Sequence, residues 1–144
     1  MRLYVCASTS LGPGPVQGPV RASQRTTSAS QIYAIRPARR AEATAEARLE
    51  TLQITNVITK FGDGFLGWPE QAPFDRILVT AAAPEEPSVL LGQLKPSGVL
   101  VAPVGKGQVQ QLCRYAGDGH GGFKTDILCE VRFVPLLEGV AREL

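Results

Sequence analysis

The stretch Phe74-Asp75-Arg76-Ile77-Leu78-Val79-Thr80 most narrows what this chain can become. Its last four residues are apolar or β-branched without interruption, so neither face of such a strand is left for water. A strand of this kind needs strands on both sides and covering layers above and below. Val99-Leu100-Val101-Ala102 has the same character. Between the two runs, Pro87 to Leu94 reads as a short helix with Pro87 near its first turn. Lys95-Pro96-Ser97-Gly98 reads as a turn. Strand, helix and strand in this order are the unit of a parallel sheet.

The same alternation extends in both directions. Ile32-Tyr33-Ala34-Ile35 is a short β-prone run, and Ala38 to Leu52 carries Ala41, Ala45, Leu49 and Leu52 at helical spacing. Val57-Ile58-Thr59 is a further strand, closed by Gly62-Asp63-Gly64. Gln110 to Ala116 and Ile127 to Val134 flank a glycine turn at 117–122, the pattern of an antiparallel hairpin. The order β-α-β-β-α-β-β-β predicts an α/β domain with a mostly parallel open sheet and an antiparallel C-terminal edge. Ile32–Ile35, Val57–Thr59, Ile77–Thr80 and Val99–Ala102 should lie side by side in it. Residues 1–30 differ abruptly: Pro13, Pro15 and Pro19 alternate with glycines, and a Ser/Thr/Gln run follows. They read as a low-complexity, disordered segment, with little packed structure over 1–25. Residues 31–144 read as the folded domain.

Charge is divided unevenly. Residues 1–41 hold six arginines and no Asp or Glu, whereas the body from Glu42 holds nine basic and 13 acidic residues. The basic stretch lacks the aromatic interleaving of a nucleic-acid surface, so no nucleic-acid partner is expected. Cys6, Cys113 and Cys129 are odd in number and form no CxxC pair, which fits free thiols in a reducing compartment. His120, the single histidine, stands in the glycine turn without a cluster of ligating neighbours, so no metal is expected. No apolar run approaches the ~20 residues of a membrane span. The prolines of the first 20 residues disfavour an amphipathic targeting helix. The expectation is a soluble, cytoplasmic protein without a membrane partner.

Ligands of parallel sheets bind beyond the carboxyl ends of the strands, which directs attention to two loops. Gly62-Asp63-Gly64 follows one strand. Its glycines allow close backbone approach, and Asp63 can accept hydrogen bonds from an amine or hydroxyl. A plain turn has the same form. Thr80-Ala81-Ala82-Ala83-Pro84 follows another strand, and its small residues either leave room for a substrate or pack closely against a helix. Trp68 and Pro69, with Phe65 and Phe74, form either an apolar lid or core. No nucleophile–base pair is visible, so the catalytic residues are unknown.

The runs Gly62-Asp63-Gly64-Phe65-Leu66-Gly67-Trp68-Pro69-Glu70-Gln71-Ala72-Pro73-Phe74-Asp75-Arg76-Ile77, Val79 to Glu85, Leu94 to Gly105 and Val131 to Leu137 together resemble the protein-L-isoaspartate O-methyltransferase family. The likeness covers about 31–144. It implies a doubly wound sheet of the S-adenosylmethionine-dependent methyltransferase type, N-terminally incomplete. It also implies methyl transfer from S-adenosylmethionine to the free carboxylate of isoaspartyl residues in damaged proteins, a repair reaction. By resemblance, Asp63 and Gly64 contact the adenine side of the cofactor, and Thr80, Ala81, Ala82 and Pro84 receive the substrate. Isoaspartyl proteins or peptides are the implied partners.

Three parts of the family pattern are missing. No acidic–x–Gly–x–Gly–x–Gly motif occurs in residues 1–30, and no serine there stands in the context of the family's catalytic serine loop. Counting back without gaps from Thr55-Asn56-Val57 puts Arg36 where the family has the acidic residue that holds the ribose hydroxyls. The sharp start of the likeness near residue 31 leads to the expectation of a truncated or frame-disrupted gene. The expectation is an impaired enzyme; the alternatives are a non-catalytic remnant and a protein-binding module built on the same sheet.

Overall fold

The computed structural model describes residues 1–6, 31–36, 39–136 and 138–139. Its strands are β1 (Arg2–Cys6), β2 (Gln31–Arg36), β3 (Val57–Phe61), β4 (Phe74–Val79), β5 (Leu94–Val104), β6 (Gln110–Gly117) and β7 (Phe123–Val131). Helix α1 spans Arg39–Thr51, a 3-10 turn spans Pro69–Gln71 and helix α2 spans Ser88–Leu91. The strands form one sheet in the order β3-β2-β1-β4-β5-β6-β7. The first five are parallel neighbours, and β6 and β7 run antiparallel to the strand before them. The four apolar runs singled out in the sequence therefore share one mostly parallel sheet, as expected.

The segment expected to be unpacked departs from that expectation. Arg2–Cys6 is the middle one of the five parallel strands, with Tyr4 paired to Tyr33 on one side and to Ile77 on the other. Tyr4 is fully buried. Five residues suffice because a strand flanked on both sides has its backbone groups satisfied along its length. The expectation for residues 7–30 falls outside the described residues. A smaller departure concerns Lys95–Gly98. It was read as a turn, yet β5 runs through it, and the register against β4 shifts between Phe74 and Arg76 to absorb the irregularity.

One face of the sheet carries the core. Tyr4, Tyr33, Ile35, Ile77, Val79, Leu100, Ala102, Cys113 and Tyr115 occupy it, and Leu90 and Leu91 of α2 pack onto it. Fully burying one such large apolar side chain contributes about 1.5–3 kcal/mol, so this face dominates the stability. Aromatic rings fill its centre. Tyr33 meets Trp68 and Phe74 edge-on with centroids 5.6 Å apart in each case, and Tyr4 lies 5.3 Å from Phe74. Trp68 and Phe74 are core residues, which settles the lid-or-core alternative for them. At the far edge, Asp118 accepts hydrogen bonds from the backbone N–H groups of His120 (2.8 Å) and Gly122 (2.9 Å), which closes the glycine turn between β6 and β7. His120 is exposed there.

Tyr115 illustrates how tightly the core face is closed. Burial away from water, helped by nearby Cys113 and Glu86, pushes its phenol up to about 12. The folded value lies above the ordinary one near 10, so this stabilising difference is complete below pH ~10. It is lost as pH rises through about 12. Absorbance titration of tyrosinate should therefore show a phenol that ionises only near pH 12, together with a loss of stability between pH ~10 and that point. Ionisation of every tyrosine by pH ~10 would contradict it.

Candidate functional site

The strand order reverses direction between β1 and β4: the chain builds outward as β1, β2, β3 on one side and as β4, β5 on the other. Such a switch point opens a crevice beyond the carboxyl ends of the parallel strands. Cys6 is in register with Ile35 and Val79, and Arg36 with Phe61. The loop after β3 (62–68) and the loop after β4 (80–87) therefore emerge on the same side as the end of β2. Both predicted site segments and Arg36 stand along one edge of the sheet.

The 62–68 loop is fastened from several directions. Tyr4 Oη donates to the Gly64 carbonyl at 3.3 Å inside the core. Asp63 Oδ1 accepts from the Phe65 N–H at 2.8 Å, and Oδ2 accepts from the Gly139 N–H at 2.7 Å. The carboxylate thus closes its own turn and ties the end of the chain to the loop. A carboxylate has about four acceptor positions, so further donors can still be received. Gln93, a buried amide, completes the fastening: its Oε1 accepts from the Trp68 N–H and its Nε2 donates to the Leu66 carbonyl, each at 2.8 Å. Nothing in the pattern Leu-Gly-Gln-Leu announced Gln93 as a loop anchor. A polar residue on the core side of a short helix was the available signal.

Outside the loop, Lys60 lies 5.1 Å from the centroid of the Trp68 ring and 3.5 Å from Glu70. The Glu70 carboxyl is held below its ordinary value by a backbone hydrogen bond, which desolvation opposes and Lys60 supports.

Because Asp63 serves the fold as well as any ligand, Asp63→Ala should cost about 1–2 kcal/mol, the low end for charge-assisted hydrogen bonds in a half-exposed site. Asp63→Asn should cost less, since its amide oxygen can still accept one N–H. Thermal unfolding of the two variants checks this; equal stability of Asp63→Ala and the unmodified chain would refute it.

The 80–87 loop is stitched to the rest of the chain by backbone pairs. Ala82 N–H donates to the Val134 carbonyl and Leu136 N–H donates to the Ala82 carbonyl, both at 2.8 Å. Ala83 N–H donates to the Pro103 carbonyl and Gly105 N–H to the Ala83 carbonyl, both at 2.9 Å. Ala81 and Ala83 are fully buried, so at these two positions the small side chains serve close packing. Ala82 and Pro84, in contrast, line a cleft of about 380 Å³, together with the turn Gly105–Gly107 and Pro135 and Leu136. Thr80 and Ala81 are not among its lining residues. Gln110 forms the remaining wall. Its Nε2 donates to the Gly107 carbonyl at 2.6 Å and its Oε1 accepts from the Phe133 N–H at 2.9 Å. Gln110, Lys106 and the 135–136 segment escaped the sequence reading, because only the return of the C-terminal segment past Ala82 brings them together.

Among the described residues no group of three or more His, Cys, Asp or Glu could hold a metal ion, and Cys113 and Cys129 are free thiols.

The family model for protein-L-isoaspartate(D-aspartate) O-methyltransferase matches residues 22–141. The chain belongs to that family. A protein-L-isoaspartate O-methyltransferase from Caulobacter sp. (strain K31) is 69% identical over 112 residues, covering 78% of this chain and 51% of that protein. One from Maricaulis maris (strain MCS10) is 50% identical over 116 residues, 81% of this chain and 54% of that one. The chain thus spans about half the length of these methyltransferases. A solved protein-L-isoaspartate O-methyltransferase matches the fold with a TM-score of 0.79 at 24% identity, covering 97% of this chain and 43% of its own. The structure of a similar protein from Plasmodium falciparum, in complex with S-adenosyl-L-homocysteine, matches at 0.65 and 23% identity, covering 75% of this chain and 53% of that one. The sheet is therefore that of the methyltransferase fold.

Proposed function

We propose that this chain is a protein-L-isoaspartate O-methyltransferase by descent whose substrate side is built and whose cofactor side is deficient. The reaction is methyl transfer from S-adenosylmethionine to the free carboxylate of an isoaspartyl residue. The observation that carries the reading is the family match over residues 22–141, seated on a sheet whose carboxyl edge bears both matching loops. On the adenine side the residues fit the cofactor: Asp63 keeps acceptor positions, and Gly64 is held by Tyr4 at the mouth of the crevice. At the end of β2 they do not fit, because Arg36 offers donors only. Thr80, Ala81, Ala82 and Pro84 frame the substrate side in this reading, which Ala82 and Pro84 on the cleft wall support. The partners are isoaspartyl-containing proteins or peptides.

The compartment proposed is the cytoplasm. Free Cys113 and Cys129 support it, and among the described residues no helix is long and apolar enough to cross a membrane.

A second reading, capture of isoaspartyl peptides without turnover, is favoured by the same contrast between a built cleft and Arg36 at the ribose position. Calorimetric titration with S-adenosylmethionine and, separately, with an isoaspartyl peptide separates the two. Binding of both supports the enzyme, and peptide binding alone supports capture. Binding of neither refutes both.

A further inference from the structure

We propose that Lys106 makes the cleft beside the 80–87 loop selective for isoaspartyl segments flanked by acidic side chains. This rests on the reading that the loop receives the isoaspartyl residue. The cleft has the volume of a small-ligand pocket, and its walls are mainly apolar or glycine: Ala82 and Pro84 on one side, Pro135 and Leu136 on the other. Its one polar wall residue besides Lys106 is Gln110, whose amide is engaged at both ends by Gly107 and Phe133. Among the described residues Lys106 is thus the one charged side chain in the lining, and it is exposed. Among the described residues no carboxylate lies within salt-bridge distance of it. Glu85 and Glu86 follow Pro84 on the same loop but do not line the cleft.

An unpaired cation over an apolar concavity creates a local positive potential that the walls concentrate, because they exclude water. An extended peptide laid along the 80–87 loop would pass its flanking side chains under Lys106. Acidic flanks would be attracted, and basic flanks would meet like charge. The body of the chain carries a net negative charge, so its overall field opposes acidic peptides. A preference for them would have to come from this local feature.

The test uses the full 144-residue chain and four fluorescent peptides in anisotropy titrations: isoaspartyl or aspartyl at the centre, with glutamates or lysines on either side. The unmodified chain should bind the glutamate-flanked isoaspartyl peptide about three- to fivefold more tightly than the lysine-flanked one, the upper range of an exposed charge pair. Lys106→Ala should level the two, and Lys106→Glu should reverse them. The preference should fall below about twofold near 0.5 M salt, where screening acts over a few ångströms. Because Lys106 is exposed, both variants should unfold at the same temperature as the unmodified chain. A flank preference that survives Lys106→Glu overturns the proposal, as does equal binding of both flanks or binding of no peptide. The isoaspartyl-to-aspartyl ratio reads the underlying function separately. A ratio of one with the flank preference intact refutes isoaspartyl recognition and leaves Lys106 standing. A high ratio without flank preference does the opposite.

Discussion

Methyl transfer to an isoaspartyl peptide by this chain should be negligible, with S-adenosylmethionine bound at least about a thousandfold more weakly than by a chain holding both cofactor motifs. The argument starts at the end of β2. Arg36 pairs with Phe61 in the last register position of the strand, on the edge where the crevice opens. A carboxylate there would accept two hydrogen bonds from the ribose hydroxyls, and a guanidinium cannot accept any. A charge-assisted hydrogen bond is worth about 1.5–3 kcal/mol, so the pair accounts for roughly 3 kcal/mol or more. Residues 7–30, which follow β1, contain no acidic residue and no acidic–x–Gly–x–Gly–x–Gly motif, so the sequence does not encode the family's glycine-rich cradle there. Each 1.4 kcal/mol is tenfold, which brings the total to about a thousandfold. Misplacement of the methyl group lowers the rate further. The measurement is methyl incorporation into an isoaspartyl peptide, beside an Arg36→Glu variant. Arg36→Glu should regain part of the cofactor affinity without measurable turnover. A rate of ~1 per second or faster in the unmodified chain would overturn the reading. Full recovery by Arg36→Glu alone would show that the glycine loop is dispensable.

The largest expected loss of stability comes from one methyl group, in Gly67→Ala. Gly67 has φ of 65°, a conformation that disfavours any residue with a Cβ. A Cβ at that position would lie 2.4 Å from Gln93 Oε1 and 2.6 Å from Nε2. The end of a glutamine can usually move aside. Here it is buried and holds both the Trp68 N–H and the Leu66 carbonyl, so any movement breaks two internal hydrogen bonds. Left-handed strain of about 1 kcal/mol and the unsatisfied groups at about 1–3 kcal/mol together give roughly 3 kcal/mol. For a chain of this size the melting temperature should fall by about 6–12 °C. Gln93→Ala combined with Gly67→Ala should cost less than the sum of the two, because the clash and the broken bonds are the same contact. Strict additivity would disprove the coupling.

The strands that repeat an apolar pattern were legible. Ile32–Ile35, Val57–Thr59, Ile77–Thr80 and Val99–Ala102 advertise burial through composition alone, and parallel pairing follows from the helices between them. The hairpin was legible through its glycine turn, although β7 begins at Phe123, earlier than its apolar stretch suggests. β1 was not, because Arg-Leu-Tyr-Val-Cys is short and stands before a proline-rich segment, and its burial comes from neighbours 25 or more residues away. The candidate site divides in the same way. Asp63, Gly64 and the alanine loop could be located from their position after strands. Gln93 and Gln110 could not, since a buried amide leaves no periodic trace and declares itself only through the backbone groups it satisfies. Pro135 and Leu136 become cleft residues only through the pairing of the C-terminal segment with Ala82.

The place of β1 in the middle of the parallel strands has a consequence for the order in which the chain is made. Leu3 pairs with Arg76, so β1 is flanked on both sides only after the chain as far as β4 has been made. At 5–20 residues per second that interval is roughly 4–15 s. During this time β1 can pair with β2, and β2 with β3, while the other edge of β1 stays open. Parallel pairing across such separations is slow even once all the strands are present. The nascent chain therefore carries an open strand edge until β4 arrives, and the sheet then grows outward through β5, β6 and β7.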